Sequence, residues 1–216
     1  MDTVATRLRD PLPPEEQARA DFYALLGRLY STGPDSKLLA AIADSAAIMP
    51  VELDEGEYST LASDLASAWQ ALARASCETD AETVTSEYDV LFVGVGKSEV
   101  NLHASHWLTG FMMEKPLVEL RAALAALGLA RQERATLVED HLAALCETMR
   151  ILVAGDEDRP PAMLEQQRAF FEQNIAPWVF SCCTAIEKCP VANYYRKVAQ
   201  FTHCYLAVER ESLRME

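Results

Sequence analysis

Leu137-Val138-Glu139-Asp140-His141-Leu142-Ala143-Ala144-Leu145-Cys146-Glu147-Thr148-Met149-Arg150-Ile151-Leu152 reads as one amphipathic helix. Val138, Leu142, Leu145, Met149 and Leu152 recur at alternating steps of four and three, which puts them on one apolar stripe facing a core. At about 100° per residue, Asp140 and Glu147 fall on the opposite face and Glu139 and His141 on the flanks. An acidic pair followed by histidine thus stands at the predicted start of a buried helix. Two acids in a first turn suit the positive end of the helix dipole. The same acids would also suit a cationic ligand.

Around this stretch lie 216 residues, half of them hydrophobic, with net charge −14. That length buries one good core, and the acidity argues against nucleic acid and for a cationic partner. Met1 to Ala20 carries charges and three prolines and no apolar run, and no later stretch reaches the ~20 apolar residues of a membrane span. A cytoplasmic protein is expected. The six cysteines (77, 146, 182, 183, 189 and 204) are scattered, so reduced thiols are expected and a disulfide framework is not.

Residues 1–14 are predicted to be a flexible arm, with Pro11, Pro13 and Pro14 preventing an early helix. Residues 15–216 then read as a single all-α domain of about nine or ten helices. The predicted segments are Pro14 to the Gly33-Pro34 stop, Ser36–Ile48, Glu57–Ser76 and Asp80–Val93, then Met113–Leu127, the organising stretch within Ala130–Leu152, one from Pro161, Trp178–Ile186 and Ala192–Glu211. No alternating strand pattern of useful length occurs.

Gly94-Val95-Gly96-Lys97-Ser98 resembles the end of a phosphate loop, but Leu91 occupies the position of its first glycine and helix, not strand, precedes it. The glycines read instead as a helix stop followed by a loop through Asn101, His103, His106 and Trp107. Cys182, Cys183, Cys189, Cys204 and His203 lack the paired spacing of a structural zinc site, and adjacent Cys182 and Cys183 leave a helix in different directions. No metal, cofactor or catalytic residue is assigned.

Glu139-Asp140-His141-Leu142 with Glu147, the preceding Tyr88-x-x-Leu91-Phe92-x-Gly94-x-Gly96, and the later Phe171-x-x-Asn174-x-x-Pro177-Trp178 followed by Tyr194-Tyr195 resemble the TorD/DmsD/NarJ-type redox-enzyme maturation chaperones. The resemblance runs from about residue 18 to near the end. It implies an all-helical, cytoplasmic, non-catalytic chaperone. Such a protein binds the twin-arginine signal peptide, or the related amino-terminal segment, of a molybdenum-cofactor oxidoreductase until the cofactor is loaded. It implies peptide-binding roles for Asp140 and His141 and for the loop region Leu91, Phe92, Gly94 and Gly96. Two positions depart from the family pattern. Val95 stands where the family loop has proline, and Asn174 where it has histidine before Pro-Trp.

The residues themselves suit that function. Two guanidiniums followed by an apolar run call for carboxylates beside a hydrophobic groove. Asp140 with Glu139 or Glu147 are the candidate carboxylates, and Trp107, Phe111, Met112 and Met113 the candidate groove, with methionine able to adapt to varied apolar sequences. The alternative function is a metal- or thiol-binding, redox-responsive helical protein built on the later cysteines and His203. A monomer and a dimer exchanging helices about a hinge near Leu129 to Arg134 both remain open.

Overall fold

The computed structural model describes residues 11–45, 57–94, 96–132 and 135–215. Most of the predicted arm, Ala46 to Pro50, Val95 and part of the predicted hinge lie outside them. Among the described residues are ten α-helices and no strand: α1 (Pro14–Ser31), α2 (Ser36–Asp44), α3 (Glu57–Cys77), α4 (Ala81–Tyr88), α5 (Ala104–Thr109), α6 (Lys115–Ala126), α7 (Leu142–Ala154), α8 (Leu164–Asn174), α9 (Val179–Lys188) and α10 (Tyr194–Met215). The all-α expectation is met. No described helix is long and apolar enough to cross a membrane.

Local chemistry sets several ends. Pro14 opens α1 with Glu15 and Glu16 in its first turn. The Asp35 carboxylate accepts from Leu38 N–H at the start of α2, and Asp80 from Thr83 N–H at the start of α4. Beyond α4 the chain widens into a π-helical turn, Asp89–Val93, which Gly94 ends at φ +63°. A Cβ on Gly94 would collide with the Lys97 carbonyl, so this position requires glycine.

Core side chains come from all ten helices and the π turn. α1 packs on α7, and α10 packs on α3, α4, α8 and α9. Phe22, Trp69, Phe201 and Tyr205 join α1, α3 and α10 in one aromatic cluster, with Trp69 and Phe201 centroids 5.1 Å apart. Each such ring contributes roughly 1.5–3 kcal/mol through burial. Nearby, Arg19 reaches the buried Glu209 carboxylate at 2.6 Å while Tyr23 donates to the same oxygen at 3.1 Å. This satisfied pair fixes the register of α1 on α10, although burying both charges offsets much of its attraction.

Side chains from distant segments also finish helix ends. The Glu87 carboxylate accepts from the N–H groups of Asn193, Tyr194 and Tyr195 at 2.8, 3.0 and 2.8 Å, which caps α10. Arg159 donates to the carbonyls of Leu127 and Gly128 just past the end of α6.

Candidate functional site

The organising stretch differs from its sequence reading at its beginning. The helix starts at Leu142, and Glu139 and Asp140 stand outside it. His141 is the extended N-cap (ψ 139°), with its Nδ1 accepting from Ala143 N–H at 3.2 Å, so Nε2 carries the proton of the neutral ring. The cause is a long-range pairing. Ala104 N–H donates to Asp140 O at 3.0 Å and Leu142 N–H to Leu102 O at 2.8 Å, an antiparallel bridge between His103 and His141. Those backbone hydrogen bonds hold His141 extended, with Glu139 and Asp140 in the turn before it, while Leu137 and Val138 still pack against the core and so prolong the apolar pattern.

Asp140 was expected on the solvent face and is 1% exposed. Its Oδ2 accepts from Ser105 N–H at 3.1 Å and from Ser105 Oγ at 2.5 Å, at the first turn of α5. Its Oδ1 is closed to solvent and has no hydrogen-bond partner among the described residues. A buried carboxylate oxygen in that state costs about 1–3 kcal/mol.

Asp140 lines a cavity of about 460 Å³ with Leu108 of α5, Pro116, Glu119 and Leu120 of α6, and Glu172 and Asn174 at the end of α8. The link from α5 to α6 leaves this cavity through Phe111, Met112 and Met113, all exposed, and Met113 has φ +59°, rare outside glycine. Glu119 lies 3.1 Å from Lys115, both largely exposed. Glu172 receives Arg210 on both oxygens at 2.9 Å, and Arg214 at 3.3 Å.

Above Asp140 the two imidazoles of the bridge meet edge to face, centroids 4.9 Å apart. Burial, reinforced by His103, pulls His141 down to about 4. Burial also lowers His103, partly countered by Asp140. Both rings are therefore neutral near pH 7.

A family model described as nitrate reductase delta subunit matches residues 59–184, more than half of the chain. The chain belongs to the nitrate reductase delta-subunit family. Proteins of this family are chaperones of molybdoenzyme assembly, not enzymes, and work with molybdoenzyme catalytic subunits. No curated protein matches the chain. The residues lining the Asp140 cavity all fall within the span matched by the delta-subunit model.

The other sequence-derived candidates lie elsewhere in this delta-subunit fold. Glu139 takes a two-pronged bond from Arg121 at 3.0 Å, which holds it below the usual carboxylate range, and Glu147 takes one from Arg150 at 2.8 and 2.7 Å. Both line a second cavity of about 670 Å³ that also draws on Ala24, Gly27 and Arg28 of α1, outside the matched span. Leu91 is fully buried, and Phe92 packs edge-on to Tyr30, Tyr88 and Tyr195. Gly94 serves the turn after the π helix, and Gly96 is exposed with open space around it. Trp107 donates from its indole to Asn101 O at 2.7 Å. Leu91, Phe92, Gly94, Gly96 and Trp107 line neither cavity.

The sequence reading did not assign Ser105, Glu119, Glu172 or Asn174 to the site. Asn174 had a visible signal, as the departure before Pro-Trp. The cysteines of the alternative function do not gather with His203 into a metal-binding group among the described residues. Burial pushes the Cys182 and Cys183 thiols far up, which disfavours the reactive thiolate.

Proposed function

We propose that this chain is a cytoplasmic chaperone that binds the twin-arginine signal peptide, or the related amino-terminal segment, of a molybdenum-cofactor oxidoreductase catalytic subunit. It holds that leader back from export until cofactor insertion and folding are complete. Residues 15–216 act as one unit in this, and the mechanism is differential binding without bond chemistry. The observation that carries the reading is Asp140: a buried carboxylate on a cavity wall with one oxygen held by Ser105 and the other unpartnered. A guanidinium supplies what that oxygen lacks, a charged donor.

The apolar run after the arginine follows Leu108, Phe111, Met112 and Met113, whose exposure is otherwise unexplained. Oδ1 is reached by outward movement of α6, which is flanked by Gly110 at φ +82° and Gly128 at φ +68°. His141 contributes by holding Asp140 in the bridge. Glu139, through Arg121, ties α6 beside the cavity.

Isothermal titration calorimetry with a synthetic leader and its Lys-Lys form tests this, using wild type and Asp140→Asn. Asparagine keeps an acceptor for Ser105 and turns an N–H₂ toward the ligand. The wild type is expected to bind the Arg-Arg leader about 10- to 100-fold more tightly than the variant does, the worth of a charged hydrogen bond. Equal affinity for both proteins would remove Asp140 from the site.

A further inference from the structure

Resting on the leader-binding reading, we infer that the Asp140 cavity reads a single guanidinium, held between the Asp140 carboxylate and the Asn174 amide oxygen, and that a second leader arginine adds little. The argument is a count of acceptors. Three carboxylates line the cavity: Asp140, Glu119 and Glu172. Glu172 already accepts from Arg210 Nε and Nη2 at 2.9 Å each, with Arg214 Nε at 3.3 Å from the same Oε1.

Two of the protein's own guanidiniums thus crowd one carboxylate, so a third cation meets repulsion there. Arg210 is further anchored 5.9 Å from the centre of the Phe180 ring. Glu119 is paired with Lys115 at 3.1 Å, and their side chains are 63% and 83% exposed. Water competes for that rim carboxylate, so a leader arginine gains little by replacing Lys115.

What remains unclaimed is Asp140 Oδ1 and one neutral acceptor. Asn174 spends its Nδ2 on the Phe170 carbonyl at 3.0 Å, and its backbone carbonyl accepts from the Trp178 indole at 2.8 Å. Asn174 lines the same cavity, and its side-chain oxygen accepts from no donor among the described residues. An anionic and a neutral acceptor suit one planar, singly charged fork and leave no charge for a second. Lysine, with a compact ammonium, engages such a divided pair less well.

The test titrates the full chain with four synthetic peptides copying the amino-terminal segment of a molybdoenzyme catalytic subunit from the same genome: Arg-Arg, Arg-Lys, Lys-Arg and Lys-Lys at the paired position. At least one singly substituted peptide is expected to bind within about threefold of the Arg-Arg parent, while the Lys-Lys peptide loses about tenfold or more. Asn174→Leu should weaken the parent severalfold. Equal large losses with both singly substituted peptides would overturn the one-guanidinium site while leaving leader binding intact. Failure of the Arg-Arg parent to bind would overturn the leader reading, and this inference with it.

Discussion

Among the described residues, the starts of two helices, α10 and α5, receive a carboxylate from a distant segment, and the two carboxylates are used differently. Glu87 spends both oxygens on three consecutive N–H groups at the start of α10, so that neither is without a donor. Asp140 spends Oδ2 on Ser105 at the start of α5 and leaves Oδ1 buried without a donor. The chemistry of capping is common to both. The difference is the count of donors brought within reach, and on the proposed function it separates a staple from a receptor. A buried group kept short of a partner lowers stability, a cost that the proposed binding role would account for.

The contrast can be broken most forcibly at Glu87. Glu87→Ala strands three N–H groups and should cost about 2 kcal/mol, which for a chain of this size lowers the melting temperature by roughly 4–8 °C. Leader affinity measured on the same variant should stay at the wild-type value. A loss of affinity with unchanged melting would reverse the roles assigned here.

The Asp140 end should also respond to acid, through the two imidazoles beside it. His141 sits at about 4 in the fold, below its ordinary 6.5, so between those values the unfolded chain binds a proton that the native chain refuses. Stability from this group is complete above about pH 6.5 and falls as the pH drops toward 4, with a slope of up to about 1.4 kcal/mol per pH unit. His103, also lowered, acts in the same direction. His141→Asn preserves a capping acceptor and should flatten the slope in urea titrations between pH 7 and 5. An unchanged slope would mean that another group controls acid stability.

Smaller effects sharpen the comparison further. Asp140→Asn, which replaces the orphaned charge by a neutral amide, should raise stability by about 1 kcal/mol in the same denaturant assay that shows Glu87→Ala falling. A fall would show that Oδ1 is satisfied in solution. Glu139→Gln removes one charge of a pair whose arginine is 52% exposed, and should change stability by only a few tenths of a kcal/mol. A cost above about 1 kcal/mol would make that pair a structural tie in its own right.

Much of the helix inventory was legible in the sequence. The stripe from Leu142 to Leu152, the Pro14 start of α1 and the glycine stop at Gly94 are local features, and the structure has them. The start of α7 was not legible, because Leu137 and Val138 stay packed after the backbone has left the helix. Trp107 lay in a stretch read as loop, yet it sits in the short helix α5, whose first turn Asp140 serves. Glu147 and Glu139 looked as available as Asp140, since nothing in their spacing shows that Arg150 and Arg121 already occupy them.

The sequence by itself determined the all-α class, the buried face of α7 and the choice of residues 139 to 141 as a chemically unusual point. These follow from periodicity and capping, which act between residues three or four apart. Only the tertiary structure decided which carboxylate is short of a donor. That depends on Ser105 being brought 35 positions back along the chain to Asp140, on Arg210 reaching Glu172, and on Asn174 facing the same cavity. An unsatisfied hydrogen-bonding capacity is a sum over all neighbours in space, and a sequence lists only the neighbours along the chain.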